Sequence, residues 1–600
     1  MHISGHTRCL AHLTAADQTA YLATLSPGAD IDHRGTTFDG PLLTAILDAL
    51  RDPTSAHPHF GKATFDQATF NTDVRFNGAI FSADATFNEA IFNGETLFED
   101  ATFSNARFNE VTFNADASFI DTTFNADVWF LSTVFGTEAF FDGVTFNADV
   151  WFAKATFNAK MWSMGALFKA QAYFGNTTFN AAALFHNTTF IADASFDNAT
   201  FNDDAQFDYT KFDADARFTG ARFLTTSQLG PLACWGSLDL SRAVFGVPVV
   251  LEAAAAKMRC IRTRWDATAT LRLRHAVLDL TDAVVTQPIA VVTHPRPFTS
   301  SAGVALTTRS TTGPVHVVSL RGVDAAHLVL TDTDLTDCVF TGAFHLDQLR
   351  LTGRTVFAGT PTGIHWHHGV PRRWTKRRVL AEEHHWRATR TPPTNLAAPT
   401  AREWTPGRHH PDADLTPGPD DLAPVYRDLR KAFEDSKNEP GAADFYMGEM
   451  EMRRHDHHDT TPGERGLLIA YWALSGYGLR ASRALAWLGL AMTATVLAMM
   501  LWGLPTSDPK PQVVGKQAAA GQDVRLTVDN PDPVLTGSLH TRLTSKRAEK
   551  ATRVVLNSVA FRSSGQNLTT SGAYIEMTSR FLEPVLLGLA ALAIRNRVKR

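Results

Sequence analysis

The stretch Val111-Thr-Phe-Asn-Ala-Asp-Ala-Ser-Phe-Ile-Asp-Thr-Thr-Phe-Asn-Ala-Asp-Val-Trp-Phe-Leu-Ser-Thr-Val-Phe135 decides the fold. Phenylalanine falls at 113, 119, 124, 130 and 135, in steps that alternate six and five. One series runs on at every eleventh residue without a miss: Phe113, Phe124, Phe135, Phe146, Phe157, Phe168, Phe179, Phe190, Phe201, Phe212 and Phe223. The interleaved series is Phe119, Phe130, Phe141, Phe152, Phe174, Phe185, Phe196, Phe207 and Phe218, broken only at Ser163. Looser steps carry the pattern back to Phe60. So strict a period means that one small structural unit is copied and stacked.

The residue two before each phenylalanine is small: Val111, Thr122, Thr133, Val144 and Ala155 in the first series, Ala117, Val128 and Ala139 in the second. Residues two apart share one side of an extended chain, so a small and a large side chain point inward together. The residues between and after them are mostly Asn, Asp, Thr, Lys and Gly, which suit turns and solvent. An eleven-residue period also fits a right-handed coiled coil. Phenylalanines five or six apart scatter around a helix, however, and Asn, Thr, Gly and Asp are poor helix formers. These phenylalanines are therefore read as core.

The pattern resembles the pentapeptide-repeat proteins, whose units centre on Leu or Phe with a small residue two before, as in Ala101-Thr-Phe-Ser-Asn-Ala-Arg-Phe108. The resemblance implies a mainly β fold, a right-handed quadrilateral β-helix with inward central residues. Here its units alternate five and six, so a four-sided coil holds 22 residues. At about 4.8 Å per coil, residues 60–223 give roughly seven or eight coils and a rod of about 35–40 Å.

Composition fits a multidomain chain of 600 residues. Cys9, Cys234, Cys260 and Cys338 have no metal or redox spacing, which predicts a reducing compartment. Residues 1–30 lack the apolar core of a signal peptide. Net charge is −5 overall, but Phe60–Phe223 carries 21 Asp/Glu against 9 Lys/Arg, so the repeat region is acidic.

The organisation read from these signals is an N-terminal helical cap (1–57), the Phe-centred β-helix (58–224) and a degenerate continuation (225–360). A His/Trp/Pro-rich linker (361–421), a helical connector (422–480) and a two-span membrane module (481–600) follow. Leu238-Asp-Leu-Ser-Arg-Ala-Val-Phe245 and Val317–Leu335 keep apolar alternation, with insertions expected near 284–312. His365, His367, His368, His384, His385, His409 and His410 lie among Trp366, Trp374, Trp386 and Trp404. Glu382 and Glu383 adjoin His384, but the spacing matches no recognised metal site. A helical hairpin is predicted from Val425, Leu429, Ala432 and Phe433 on one face, with Pro440 opening the second helix through Phe445 and Met450. Tyr426–Asp435 and Gly441–Met450 resemble the connector of membrane-attached pentapeptide-repeat proteins. In some relatives that connector leads into a two-helix potassium-channel-like module.

Ala484–Leu504 holds no charge over 21 residues, about 31 Å of helix, enough to cross a bilayer. Arg465, Arg480 and Arg483 precede it and Asp508 follows; Arg595, Arg597, Lys599 and Arg600 close the chain. Positive charge outside both apolar runs predicts an in–out–in hairpin, with the repeats and the C-terminus cytoplasmic. The second run, Phe581–Ile594, is short and contains Glu583. Extending it to Tyr574 brings in Glu576 and Arg580, an i,i+4 pair read either as an intramembrane contact or as an outer-interface pair.

Between the spans, Asn567-Leu-Thr-Thr-Ser-Gly-Ala573 is the best filter candidate, yet it lacks a Thr-Val-Gly-Tyr-Gly-like string. Gly476-Tyr-Gly478 precedes the first span and reads as a loop. No nucleotide loop, nucleophile elbow or zinc helix is present, so no catalytic, cofactor-binding or metal residue is assigned and no enzyme activity is expected. The expected function is a membrane-tethered scaffold that presents an acidic cytoplasmic β-helix to an unidentified protein partner. The alternative is a degenerate two-helix channel-like sensor. The other expectations on partners are the membrane itself, self-association of the hairpin, and no nucleic acid.

Overall fold

In a computed structural model the described residues are 10–299, 303, 305–306, 313–362, 364–367, 370–390, 403–405, 416–507, 510–515, 519–521, 523, 526–529, 531–561 and 566–598. His368, His409, His410, Asp508, Lys599 and Arg600 lie outside them. The chain divides into two compact units, Met1–Phe445 and Tyr446–Arg600.

The first unit is a parallel β-solenoid of about 13 turns with helices at its ends. One coil consists of four short strands, for example Thr112–Phe113, Ala117–Ser118, Thr123–Phe124 and Val128–Trp129. Each strand pairs with its copy 22 residues on, as in Phe113↔Phe135, Phe124↔Phe146 and Val128↔Val150. Every phenylalanine of both series is buried. Except beside Ser163, the rings stack on their copies in the neighbouring coils, Phe113–Phe135 at 5.1 Å and Phe135–Phe157 at 4.6 Å between centroids. Laterally the rings meet edge to face, as Phe119 meets Phe130 at 5.5 Å and 85°. Such pairs add about 0.5–1.5 kcal/mol each beyond the area they bury.

The five–six alternation has a backbone cause. Two residues after each second-series position the chain turns through a left-handed residue: Asp121, Ser132, Gly143, Lys154, Gly165, Asn176, Asn187, Asn198, Tyr209 and Gly220. These corners close in five residues. The other corners have no left-handed residue and take one more: Asp116, Asp127, Glu138 or Asp149. The small inward position is often threonine after the tight corner, and its hydroxyl is not left unsatisfied. Thr122, Thr177 and Thr210 donate to Phe98 O, Phe152 O and Phe185 O, each at 2.7 Å.

Ser163 interrupts the ring stack between Phe141 and Phe185. Here large and small exchange places: Met161 occupies the small position, in register with Ala139 and Ala183, and both Met161 and Ser163 are buried. A flexible thioether suits the space that a missing ring leaves.

The solenoid begins before Phe60. Strands Ala29–Asp32 and Thr37–Phe38 pair with His59–Thr64 and Thr69–Phe70, and Phe38 stacks on Phe70 at 4.9 Å. Helices α1 (Ala15–Leu22) and α2 (Gly40–Ala49) flank this first coil. After Phe223 the stack continues through Phe245 to Trp265, at 4.9 and then 4.2 Å. The last of these steps is twenty residues, so the coils shorten to strict fives and neighbouring strands fuse into Gln228–Asp239 and Val249–Arg259. An insertion separates Thr293 from Val315, since Ile289 pairs with Leu328.

Helices α3 (Ala381–Arg390), α4 (Pro419–Asp435) and the start of α5 (Glu439–His455) follow the last coils. The second unit holds the rest of α5, then α6 (Pro462–Ser475), α7 (Ala481–Ala498, continued to Gly503), α8 (Ser545–Phe561) and α9 (Thr570–Val598). The second apolar run lies in one helix of 29 residues, which takes in the extension back to Tyr574 and begins at Thr570.

Candidate interaction surface and membrane hairpin

The acids and amides of the solenoid are arranged in columns. Asp116, Asp127, Asp149, Asp193 and Asp215 each accept, through Oδ1, the backbone N–H of the residue one coil on: Glu138, Asp149, Gln171, Asp215 and Ser237, at 2.8–3.2 Å. The sixth residue of the long unit adds an N–H, and the aspartate below it supplies the acceptor. Asn71, Asn93 and Asn114 form an amide ladder (3.0 and 2.8 Å), and Asn158, Asn180 and Asn202 a second (2.9 and 2.7 Å). The recurrent Asn-Ala-Asp of the sequence therefore has a structural task as well as a charge.

Two outer faces carry aromatic columns. Trp129, Trp151 and Tyr173 stack at 5.2 and 5.4 Å, with the Arg107 guanidinium 5.1 Å over Trp129. Phe140 stacks on Trp162, whose Nε1 donates to Glu138 at 3.2 Å. Between consecutive coils the π faces cover one another, so these rings stiffen the exterior and present mainly their edges.

At the C-terminal end of the solenoid, α3 closes the open ladder. Glu382 Oε1 accepts from Phe340 N (2.5 Å), Thr341 N (2.9 Å) and the Thr341 hydroxyl (3.1 Å). Such a cover blunts an edge that would otherwise template pairing. Burial pushes the Glu382 carboxyl up. Glu383 is fully buried; both its oxygens accept from Arg377 Nη2 (2.6 and 2.7 Å), and it also accepts from Arg387 Nε (2.7 Å) and the Tyr426 hydroxyl of α4. Burial alone would raise its carboxyl, but the two guanidiniums hold it at about 2. Arg387 lies about equally far from the rings of Trp374 (5.1 Å), Trp386 (5.3 Å) and Trp404 (5.0 Å).

The histidine-rich segment resolves in part as this cap. His384 Nε2 contacts Gly359 O at 2.8 Å, and its Nδ1 meets the Thr405 hydroxyl at 3.0 Å. His365 and His367 lie on the strand Ile364–His367, paired with Val370–Arg373. Among the described residues no group of three or more His, Cys, Asp or Glu is placed to hold a metal ion. Cys234, Cys260 and Cys338 are buried; burial pushes the Cys234 thiol up to about 12 and the other two up as well.

In the second unit two helices, Ala481–Gly503 and Thr570–Arg595, are long and apolar enough to cross a membrane. They pack against each other, and large apolar side chains such as Leu490, Phe581, Val585 and Leu592 are exposed along them. Glu583 is fully buried in this hairpin, its Oε1 2.8 Å from the Thr495 hydroxyl of α7. Glu576 and Arg580 pair at 2.7 Å within α9. At the turn end Gly572 packs on Gly503: a Cβ on Gly572 would lie 2.3 Å from Gly503 O. Thr569 caps α9, its hydroxyl accepting from Gly572 N (3.1 Å) and reaching Trp502 O at 2.6 Å. Arg547 of α8 donates to Met500 O (2.8 Å), Leu504 O (2.7 Å) and Pro505 O (3.0 Å), covering the carbonyl end of α7. The filter candidate Asn567–Ala573 is thus the start of a helix and a tight crossing, not a strand of carbonyls. Gly476, Tyr477 and Gly478 form a loop with three consecutive positive φ values, +55°, +59° and +71°.

Four strands per coil, inward phenylalanines and a parallel ladder define the repeat region as a pentapeptide-repeat β-solenoid, and the two apolar helices make the chain fit a membrane-anchored protein of that class. The family model for pentapeptide repeats matches in nine copies, over residues 76–123, 87–134 and 165–211. No curated protein and no solved structure matches the chain.

Proposed function

We propose that the protein is a membrane-tethered scaffold, anchored by α7 and α9, whose acidic solenoid docks a protein partner. The repeats and the C-terminus lie on the cytoplasmic side in this reading, supported by Arg465, Arg480 and Arg483 before the first span and Arg595 and Arg597 after the second. The supporting observation is the double use of the corner aspartates. One oxygen of Asp127, Asp149, Asp193 and Asp215 fixes the next coil, while the side chain remains partly exposed to solvent. The columns repeat at about 4.8 Å and their sign repels a phosphate backbone, which favours protein over nucleic acid. The rigid ring core keeps that spacing fixed, and the hairpin is free to self-associate in the membrane plane.

The test is capture of partners by the full chain in membranes, with Asp127, Asp149, Asp193 and Asp215 all changed to Asn. Asparagine keeps an oxygen for the backbone N–H and removes the charge. Capture should fall at least tenfold with the solenoid intact; unchanged capture would count against the acidic columns.

A second reading rests on the buried Glu583–Thr495 contact, since an ionisable group inside a membrane hairpin marks a functional site by default. In that reading the hairpin is a channel-like sensor. Selective potassium flux through liposomes that carry the chain, abolished by Glu583→Gln, would favour it over the scaffold.

A further inference from the structure

Helix α6 leaves an apolar face uncovered. From Gly466 to Ser475 it contains no charged residue. One face, Leu468, Tyr471 and Trp472, packs against Met447, Met450 and Tyr477. The remaining side is also apolar: Leu467 is 73% and Ile469 52% exposed, with Gly466 and Ala470 exposed beside them. A fourteen-residue helix is about 21 Å long, too short to span a bilayer.

The position of the helix says what covers it. The loop Gly476–Gly478 turns the chain between α6 and α7, and α6 packs against α7 and α9. Trp487 of α7, itself 41% exposed, donates through Nε1 to Ala473 O of α6 at 3.1 Å. Arg483 donates to Trp472 O at 2.7 Å and lies 5.1 Å over the Trp472 ring. Indole and guanidinium groups gather where a span leaves the hydrocarbon, and α6 is hydrogen-bonded into that level. We propose that α6 is an interfacial helix, lying in the headgroup–acyl boundary with Leu467, Ile469 and Ala470 in lipid. The inference rests on the membrane reading of α7 and α9; Trp487 and Leu490 of α7 are exposed, as Leu467 and Ile469 are on α6. Interfacial helices of this kind bind in proportion to the apolar area they bury.

The test uses the full chain in lipid nanodiscs, with Cys9→Ser and a nitroxide on a cysteine replacing either Leu467 or Leu490. The three buried cysteines stay unlabelled. Collision with oxygen, which concentrates in lipid, is compared with collision with a polar nickel chelate. Oxygen should win at both sites, by a smaller ratio at Leu467. A nickel-dominated Leu467 beside an oxygen-dominated Leu490 would overturn the interfacial helix and leave the spans standing. Nickel dominance at both would remove the membrane reading as well. A Leu467 label shielded from both reagents and broadened by spin–spin coupling would assign this face to a second copy, and would also overturn the proposal.

Discussion

Asp127 accepts the backbone N–H of Asp149 at 3.2 Å, and Asp149 in turn accepts that of Gln171 at 2.9 Å. Structural cap and surface charge therefore reside in one side chain, and substitution can separate them. Asp149→Ala removes the acceptor and should cost about 1 kcal/mol, whereas Asp149→Asn should cost much less. Urea denaturation of the two variants checks this; equal losses would mean that charge, not the hydrogen bond, matters to stability.

The exchange at Met161 and Ser163 gives a double-mutant prediction. Ser163→Phe alone overfills the coil against Met161 and should destabilise by about 1–3 kcal/mol. Ser163→Phe with Met161→Ala restores both columns and should at least recover wild-type stability. Additive losses in a denaturation cycle would contradict the compensation.

His316 stands between Asp334 (3.4 Å) and Asp337 (3.1 Å), and these carboxylates raise its imidazole to about 9. A raised folded value means that the contribution is fully present below about 6.5, the ordinary histidine value, and is lost as pH climbs through about 9. The pair is partly exposed, so it contributes no more than about 1 kcal/mol. Wild-type Tm should fall relative to His316→Gln between pH 6.5 and 9; parallel curves would exclude the linkage.

Gly572→Ala should loosen the hairpin, because the new Cβ meets backbone at Gly503 and not a movable side chain. A loss of about 1–3 kcal/mol is expected for such overpacking, seen as a lower Tm in nanodiscs. An unchanged Tm would place the crossing elsewhere.

The repeat core was legible because its physics is local: a period of eleven and a small residue two before each ring suffice to orient every phenylalanine. The alternation of corners also left a signal, since Gly143, Gly165, Asn176, Asn187, Asn198 and Gly220 all fall at the left-handed position. The aspartate caps were not legible, because each joins residues 22 apart and reads as surface charge when taken singly. The cap is similar: Glu383 with Arg377 and Tyr426 joins three segments, and nothing local separates it from a charged linker. In the second span the Glu576–Arg580 pair was legible because it is local, four residues along one helix. The contact of Glu583 with Thr495 joins residues 88 apart and left no local signal, so hydropathy alone left the start of the span open.

The central claim, that the hairpin holds the chain in a membrane with the solenoid inside, is tested most directly by labelling intact cells with an impermeant thiol reagent. In a Cys9→Ser background, a cysteine at Ala520, between the spans, should label in intact cells. One at Asn125, on the solenoid, should label only after lysis. Labelling of Asn125→Cys from outside, or of neither site until lysis, would contradict the account.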